Sequence, residues 1–292
     1  AVGALGMPAA QATWSVAAVD EETGEVGVAV ASCVGFEVSV VPVLVPSVGA
    51  AASQADISEM SGARLVESLE GGASASEAVE AVVALDEAPD DRQLGVVVLG
   101  GGGDGWTGSD TFDVALDRRG AGEVVSVQGN ILVSEDVVTG ALAAFDASSG
   151  ELADRLVAAL VAGADEGGDS RCGDQTATSA ALIVARPGDA SYANTDVGLV
   201  GVDPASDEVP SVYVSVLVKA GGERAPDRLA AAWAGADRSL SQVVIQQVDA
   251  GADTSAEGAR RFVRGFLLIV VSLIAGAVVL VIWRRRRRSS PR

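Results

Sequence analysis

The fold is decided by Thr13–Val19 (TWSVAAV), which is followed by a polar turn at Glu21–Gly24 (EETG) and by Val26–Ala31 (VGVAVA). Apolar and polar residues alternate from Thr13 to Asp20, and the second segment is rich in valine. Two such segments joined by a short polar turn that contains glycine are typical of a β-hairpin. The sequence therefore predicts that the folded domain opens with two antiparallel strands.

The residues before this hairpin have the pattern of the end of a signal peptide. Ala10 and Ala12 are small residues at the third and first positions before Thr13, where signal peptidase accepts them. Ala1–Pro8 is apolar, like the end of a signal core. We therefore expect cleavage after Ala12, which would make Thr13 the first residue of the mature protein.

A threonine at a new N-terminus carries a hydroxyl and an α-amine on one residue. That amine titrates near ~7.7–8.0, so much of it is neutral at mild pH and can accept the hydroxyl proton. A hydroxyl activated by a neighbouring amine is a recognised catalytic nucleophile. Thr13 is therefore a candidate nucleophile, and the alternative is that an exported protein merely starts with a common residue.

Further along the chain, strands come in hairpin pairs and helices come in pairs between them. Paired helices packed on hairpin-built sheets favour layers in the order helix, sheet, sheet, helix. The predicted fold class is α+β, a four-layer αββα sandwich followed by one C-terminal transmembrane helix. The pattern predicts strands at Val38–Val45, Gly49–Gln54, Leu94–Leu99, Phe112–Leu116, Val124–Val127, Ala177–Ala185 and Ser211–Val218, and helices at Gly62–Leu69, Ser74–Leu85, Ser134–Phe145, Glu151–Ala164 and Leu229–Val248. Ser74–Glu77 (SASE) is a predicted capping box that opens the second of these helices.

Two stretches between these elements invite a functional interpretation. Gly100–Gly105 is rich in glycine, but it lacks the Gly-Lys-Thr ending of a phosphate-binding loop and a helix after it, so a hairpin turn is favoured. Gln128-Gly129-Asn130 interrupts the strand pattern. The side-chain amide of Asn130 and the N–H of Gly129 are candidate donors to a developing oxyanion. The alternative is a turn with Asn130 in the left-handed conformation.

A polar loop at Gly167–Asp174 contains Asp169 and Arg171. These two residues are expected either to form a charge pair that positions a substrate or to form a loop salt bridge. The two cysteines of the chain, Cys33 and Cys172, are an even number in a protein expected outside the cytoplasm. One disulfide is therefore favoured, and two buried thiols are the alternative.

Composition excludes several function classes. The chain has 292 residues and a net charge of −20, with all 40 Asp and Glu residues before Arg260, so binding to nucleic acid is disfavoured. It contains no histidine, which excludes Ser-His-Asp catalysis and most zinc sites. No calcium-loop spacing occurs. We predict no metal site and no cofactor.

The C-terminus has the pattern of a membrane anchor. Phe266–Trp283 is 18 residues long without a charge, which nearly spans a ~30 Å hydrocarbon layer as a helix. Phe262 and Val263 extend it if the side chain of Arg264 reaches the membrane surface. Five arginines follow at Arg284–Arg288, so the positive-inside rule predicts a cytoplasmic tail. The predicted boundaries are the end of a signal peptide at 1–12, an extracytoplasmic domain at 13–249, a linker at 250–261, a transmembrane helix at 262–283 and a basic cytoplasmic tail at 284–292. A buried core helix is the alternative.

Several short motifs follow one another between Thr13 and Val218. They are Thr13–Val16 (TWSV), Asp20–Ser32 (DEETGEVGVAVAS), Gly49–Gln54 (GAAASQ), Gln93–Val97 (QLGVV), Thr107-Gly108, Ser126–Asn130 (SVQGN), Gly167–Asp169 (GGD) and Ser179–Val184 (SAALIV). In this ordered set the chain resembles the uncharacterised family numbered 1028 among the domains of unknown function. Members of that family resemble the Ntn (N-terminal nucleophile) hydrolases.

The resemblance implies the four-layer αββα fold of Ntn hydrolases and hydrolysis of an amide bond by Thr13. In proteasome-like relatives an acidic residue follows the Val-Ala-Val strand and a lysine lies further on. Here Val28–Val30 leads to Ala31, Ser32 and Cys33, and the first lysine is Lys219. The charge relay of the proteasome type is therefore missing.

Taken together, these features predict a membrane-anchored extracytoplasmic hydrolase for an amide or peptide substrate. The candidate catalytic residues are Thr13, Asn130 and Gly129, and the candidates for lining the site are Ser32, Gln54, Asp169 and Arg171. One alternative is a catalytically inactive surface domain for binding or structure with the same fold. Another alternative is a secreted precursor whose tail is later removed. The assembly of the protein into a homo-oligomer is left open.

Overall fold

The computed structural model of the protein describes residues 13–34, 38–112, 114–120, 124–195, 198–199, 212–219 and 222–248. These residues form two β-sheets and five α-helices. The α+β class predicted from the sequence is confirmed. Strands and helices are numbered along the chain in the paragraphs that follow.

The first sheet has seven strands and is built around the predicted hairpin. Its strands are β1 (Thr13–Val19), β2 (Val26–Ser32), β7 (Leu116–Arg119), β8 (Val125–Asn130), β9 (Ser179–Ala185), β12 (Val214–Lys219) and β13 (Val243–Val248). The order across the sheet is β13-β12-β9-β2-β1-β8-β7. Neighbours are antiparallel except β12 and β13, which are parallel.

The second sheet has six strands, in the order β11-β10-β3-β4-β5-β6, and all neighbours are antiparallel. These strands are β3 (Pro42–Val45), β4 (Gly49–Ala55), β5 (Arg92–Val98), β6 (Gly102–Thr107), β10 (Tyr192–Thr195) and β11 (Gly198–Leu199).

The helices are α1 (Glu59–Glu70), α2 (Ala75–Leu85), α3 (Asp136–Ala147), α4 (Leu152–Asp165) and α5 (Ala225–Ala234). The start of α2 is a reciprocal cap. Glu77 N donates to Ser74 Oγ at 3.3 Å, and Ser74 N donates to Glu77 Oε2 at 2.9 Å. These two bonds satisfy backbone and side-chain groups at the helix start, as the predicted capping box requires.

Three apolar clusters hold these elements together. One cluster lies between the two sheets. Another packs the outer face of the first sheet against α3, α4 and α5, and the third packs the outer face of the second sheet against α1 and α2. The apolar core is therefore divided between the space between the sheets and the two helix-covered faces.

The alternation of side chains along β1 assigns each residue to one of these spaces. Trp14, Val16 and Ala18 belong to the cluster under the helices, and Ala17 and Val19 belong to the cluster between the sheets. Thr13 and Ser15 have the same parity as Ala17 and so face the second sheet. The space between the sheets is thus apolar at one end of β1 and polar at the end where Thr13 lies.

The prediction of one helix at Leu229–Val248 is wrong. α5 ends at Ala234, and the chain returns as β13, which pairs with β12. Asp237 Oδ1 accepts a hydrogen bond from Ser239 N at 3.1 Å, a local turn that competes with helix. Residues 243–245 are Val-Val-Ile, and such β-branched residues favour a strand once a partner strand is available.

Four further stretches differ from the prediction. Val38–Val40 forms a 3-10 turn before β3, and Gly102 already belongs to β6 instead of to a turn. Phe112 and Val114 have φ angles of 71° and 49°, which a strand does not allow, so β7 starts only at Leu116. Gln128, Gly129 and Asn130 continue β8, so the predicted interruption there is wrong.

Four sequence-based predictions concern residues outside the described part of the chain. They are the signal peptide at 1–12, the linker at 250–261, the transmembrane helix at 262–283 and the tail at 284–292. Among the described residues, none of the helices has the length and apolar character needed to cross a membrane.

Candidate active site

Thr13 stands at the centre of a row of three polar residues. It is the first residue of β1 and lies opposite Ser32 on β2 and opposite Asn130 on β8. Residues opposite each other in a sheet share a face, so all three side chains point towards the second sheet. Thr13 Oγ1 donates to Ser32 Oγ at 3.2 Å, and all three residues are buried.

Two glutamines of the second sheet lie against this row. Gln54 on β4 and Gln93 on β5 are opposite each other and fully buried. Gln54 Nε2 donates to the carbonyl oxygen of Thr13 at 3.3 Å and to Gln93 Oε1 at 2.9 Å. Gln54 was predicted to line the site, and it does lie beside Thr13. Its amide is engaged in holding the backbone of β1.

Backbone carbonyls fix the orientation of these amides. Gln93 Nε2 donates to the carbonyl oxygens of Gly129 at 2.9 Å and Leu116 at 3.2 Å. A carbonyl oxygen can only accept a hydrogen bond, so the side-chain oxygen of Gln93 must point away from these two carbonyls. That oxygen accepts from Asn130 Nδ2 at 3.0 Å. Asn130 therefore presents its nitrogen to Gln93.

Asn130 has hydrogen-bonding capacity left over beside Thr13. Its Nδ2 carries two hydrogens, and the bond to Gln93 uses one of them. Its Oδ1 is buried and has no hydrogen-bond partner among the described residues. An unsatisfied buried acceptor is costly, so it needs an explanation such as a catalytic role. Asn130 is the group in this row best suited to bind an incoming polar molecule.

A second polar tier supports the first one. Ser15 Oγ donates to Gln54 Oε1 at 2.6 Å and accepts from Gln128 Nε2 at 2.5 Å, while Gln128 Oε1 accepts from Ser126 Oγ at 3.1 Å. Gly95 makes room for this tier, because a Cβ there would lie 2.0 Å from Gln128 Oε1. These bonds make the polar end of the space between the sheets rigid.

Asp169 and Arg171 form an ion pair of 2.8 Å behind Ser32. The carboxylate of Asp169 is fully buried and also accepts from Cys33 N at 2.7 Å and from Arg171 N at 3.0 Å. The sequence suggested that both residues line the site. The carboxylate instead holds the end of β2, one residue beyond Ser32, and Arg171 satisfies the buried charge.

The Cys33–Cys172 disulfide ties the same segments together, with the two Sγ atoms 2.05 Å apart. Asp169 also forms an isolated bridge with Leu132, and Ser170 Oγ donates to the carbonyl oxygen of Ile131 at 2.8 Å. The loop at 169–172 therefore clamps the chain on both sides of Thr13, after Ser32 and after Asn130. The predicted pairing of the two cysteines is present.

Backbone strain is found at this clamp. Ile131 and Thr176 have φ angles of 52° and 55°, although both are β-branched. Such conformations cost about 1–3 kcal/mol each and tend to cluster at functional sites. Ile131 directly follows Asn130, and the carbonyl oxygen of Thr176 accepts from Asp169 N at 2.9 Å.

The predicted role of Gly129 does not fit its position. Gly129 lies inside β8 and is opposite Trp14 on one side and Leu116 on the other. Its N–H therefore lies in the plane of the sheet between two paired strands instead of facing the polar row. Gly129 contributes its carbonyl oxygen, which accepts from Gln93.

Sequence reasoning missed Gln93, Ser15 and Gln128 as parts of the site. A signal was available, because each is a polar residue that lies within, or directly beside, a stretch predicted as a strand. The lysine of the chain, Lys219, belongs to the same transverse row as Thr13, through Ser179 and Ser32. Three strand spacings of ~4.8 Å separate the backbones of Lys219 and Thr13, or roughly 14 Å.

Comparison with known proteins gives a family and a fold. The chain is similar to a protein named SPO2555 from Silicibacter pomeroyi, whose crystal structure is described with the family model DUF1028. The identity is 24%, the match covers 76% of this chain and 88% of that one, and the TM-score is 0.59. No curated protein matches. A family model described as a family of unknown function, DUF1028, matches residues 13–210, more than half of the chain, so the protein belongs to that family.

Proposed function

We propose that this protein is a membrane-anchored extracytoplasmic hydrolase of the Ntn type, with Thr13 as its N-terminal nucleophile. Two facing sheets with helices on their outer faces are consistent with the αββα sandwich of such enzymes. A signal peptide at 1–12 and an anchor at 262–283 would carry the domain across the membrane and keep it there. An amide bond in a peptide or small amide is the proposed substrate.

The observation that carries this proposal is the position of Thr13. It is the first residue of a central strand, its hydroxyl bonds Ser32 Oγ, and the residue opposite it is Asn130 with spare capacity for hydrogen bonds. Polar residues in the space between two sheets are costly unless they are paired. A cluster of polar residues around one hydroxyl supports a catalytic role for that hydroxyl.

The base in this proposal is created by cleavage after Ala12. While residues 1–12 are attached, the nitrogen of Thr13 is a peptide nitrogen and has no basic lone pair. After cleavage it is an α-amine with a pKa near ~7.7–8.0, which can take the proton of Oγ1. Activity should therefore rise as the pH increases through this range, because the neutral amine is the active form.

The reaction then proceeds in two steps. Oγ1 of Thr13 attacks the carbonyl carbon, and the second hydrogen of Asn130 Nδ2 bonds the oxygen that becomes negative. The amine passes the proton to the leaving nitrogen, the C–N bond breaks, and an ester forms on Thr13. Water, deprotonated by the same amine, attacks the ester, releases the acid and restores the hydroxyl. These steps need no cofactor.

The test compares variants at Thr13 in the mature protein. A peptide vinyl sulfone is the probe, because the nucleophilic hydroxyl adds across its double bond and the mass of the protein increases by the whole probe. We expect labelling at Thr13 in the wild type, some labelling in Thr13→Ser and none in Thr13→Ala. Thr139→Ala, at an exposed threonine of α3, is the control and should label like the wild type. Equal labelling of Thr13→Ala would refute the proposal.

A second candidate is a surface binding domain without chemistry. Two observations favour it. The lysine of the chain is three strands away from Thr13, and the nearby carboxylate of Asp169 is committed to Cys33 and Arg171. In that case the mature protein would not be labelled at Thr13 and its N-terminus would be of no consequence.

A further inference from the structure

The two sheets have four edge strands in the part of the chain that the structure describes. They are β7 and β13 in the first sheet and β6 and β11 in the second. Charges, glycines and short length all discourage the pairing of a further strand with an edge. β7 (LDRR) carries three charges, β6 (GGDGWT) contains three glycines and an aspartate, and β11 has two residues. Each of these three edges is therefore protected.

β13 has none of these protections. Its sequence, VVIQQV, contains no charge, glycine or proline, and four of its six residues are valine or isoleucine. Among the described strands it pairs with β12 and with no other. Val244 on this strand is 53% exposed, and Leu240 just before it is 51% exposed. A long, uncharged edge beside exposed apolar side chains is typical of a surface that pairs with another strand.

The rest of this chain offers poor material for such a strand. Residues 200–211 (VGVDPASDEVPS) contain two prolines and three acidic residues, and residues 249–259 (DAGADTSAEGA) are mostly alanine, glycine and acidic residues. These residue types are depleted in strands, and proline removes a hydrogen bond of the ladder. Composition therefore favours a strand from another molecule as the neighbour of β13.

The distribution of charge selects a second copy of the chain as that molecule. Residues 13–211 hold 34 of the 40 acidic residues and seven arginines, so most surfaces of two copies repel each other. Residues 212–248, which form β12, α5 and β13, hold three acidic and four basic residues. The acidic residues of α4 that contact α5 and the turn after it are paired, Asp154 with Arg238 at 2.9 Å and Asp165 with Arg224 at 2.8 Å. Two copies can thus approach at β13 with little repulsion.

The alternation of side chains fixes how two copies of β13 can pair. Val243 belongs to the cluster under the helices, so Val244 and Gln246 lie on the opposite face, where both are exposed. Opposite residues of an antiparallel pair share a face, so a two-fold axis between the strands must pass through a residue position. An axis at Ile245 or at Gln246 pairs five of the six residues of each strand.

We infer that the edge of β13 is an interface between two copies of this chain, paired antiparallel about a two-fold axis so that their first sheets join into one. This inference goes beyond the proposed function and does not depend on it. β13 is four strand spacings of ~4.8 Å from β1, or roughly 19 Å, so the pairing leaves labelling of Thr13 unchanged.

The first test measures the oligomeric state of the full chain in detergent solution by sedimentation equilibrium. The wild type should form a dimer as its concentration rises. Val244→Lys with Gln246→Lys places lysines directly opposite each other whether the axis lies at residue 245 or 246, so the dissociation constant should rise at least about 10-fold. Thr139→Lys with Ala143→Lys adds the same charge at exposed positions of α3 and should dimerise like the wild type. A monomeric wild type, or a lysine variant of β13 that dimerises like the wild type, would overturn the inference.

The second test locates the contact by cross-linking. Cys33 and Cys172 are bonded to each other, so a new cysteine is the reactive thiol of the described chain. Residues on a two-fold axis between antiparallel strands have Cα atoms about 4.5–5.5 Å apart, which a disulfide can bridge. Under copper-phenanthroline oxidation, Ile245→Cys or Gln246→Cys should form a disulfide-linked dimer at least about 10-fold faster than Thr139→Cys. If neither variant cross-linked faster than Thr139→Cys, β13 would not be the interface.

Discussion

At the scale of single residues, four backbone carbonyls fix the orientation of the amide side chains around Thr13. The carbonyl oxygens of Leu116 and Gly129 orient Gln93, and Gln93 in turn orients Asn130. The carbonyl oxygens of Thr13 and Gln128 accept hydrogen bonds from Gln54 Nε2 at 3.3 and 3.5 Å. Because carbonyls cannot donate, the position of each amide nitrogen follows from the backbone. Asn130 Nδ2, the oxyanion donor of the proposed mechanism, is therefore oriented before a substrate binds.

Asn130→Asp should test this donor. The change replaces Nδ2 with an oxygen opposite Gln93 Oε1 and removes the proposed oxyanion donor. Loss of one such donor lowers the rate of attack on a carbonyl by about 10²–10³-fold, so hydrolysis of a chromogenic peptide anilide should slow by that factor. Gln246→Glu makes a similar change at an exposed position of β13 and should hydrolyse the anilide at the wild-type rate. A wild-type rate in Asn130→Asp would show that Asn130 is not the donor.

Asp169→Asn should weaken the clamp around the site. The variant loses the charge-assisted bonds to Arg171 and to Cys33 N and leaves the guanidinium without its buried partner. Arg171 is 29% exposed, so water offsets part of the loss, and we expect a decrease of about 1–3 kcal/mol in the free energy of unfolding. Urea denaturation measures it. Asp165→Asn, at a 62% exposed ion pair, should change stability by less than about 0.5 kcal/mol.

At the scale of elements, the sequence predicts what is local. The hairpin of β1 and β2 and the capping box of α2 depend on residues close together in the chain, and both are found as predicted. β13 was missed because its strand conformation depends on pairing with β12, about 30 residues earlier. The layer of buried glutamines was missed for the same reason. Gln54, Gln93 and Gln128 come from three strands that only the fold brings together.

Gly95→Ala should disrupt this layer. The new Cβ would lie 2.0 Å from Gln128 Oε1 and 2.8 Å from Ser126 Oγ, in the space between the two packed sheets. Overpacking of this kind typically costs about 1–3 kcal/mol, measurable by thermal or urea unfolding. The control is Gly235→Ala after α5, where the nearest atom would be 3.5 Å away. If the two variants were equally stable, the packing of the polar tier would be looser than described.

Asp86, at the end of α2, should make the protein sensitive to acid. Burial raises the pKa of its carboxyl, but hydrogen bonds from Ala88 N and the Arg92 guanidinium outweigh burial and lower the pKa below its usual value. A lowered pKa in the folded state stabilises the fold above the unfolded value near ~3.9, and this stability is lost as the pH falls further. Asp86→Asn should therefore unfold more easily at neutral pH and show a smaller loss of stability below about pH 4.

At the scale of the whole molecule, charge and covalent links act together. A net charge of −20 makes the chain repel itself, which the disulfide between residues 139 apart opposes. Composition alone predicted the acidic domain and the cysteine pairing. It could not predict that the disulfide ends at the clamp behind Ser32, because that requires the register of β2 and β9.

Removal of the disulfide should therefore affect both stability and the site. Cys33→Ser with Cys172→Ser should lose about 4–5 kcal/mol, the chain-entropy value for a loop of more than 100 residues. Labelling of Thr13 should also slow, because the loop at 169–172 is no longer covalently linked to the segment after Ser32. Ser239→Ala, at an exposed turn serine, serves as the control for purification and assay. Unchanged stability in the double variant would mean that the link closes a loop that is already ordered.

The most direct test of Thr13 as the nucleophile is the identity of the first residue of the mature protein. Mass spectrometry of the N-terminal peptide, from protein purified out of the membrane fraction of its own cells, reports it. If Thr13 is the nucleophile, this peptide begins at Thr13 and carries an α-amine that can be labelled. A chain that begins before Thr13 or several residues after it would contradict the role of Thr13 as nucleophile. The second candidate, a binding domain without catalytic activity, would then be favoured.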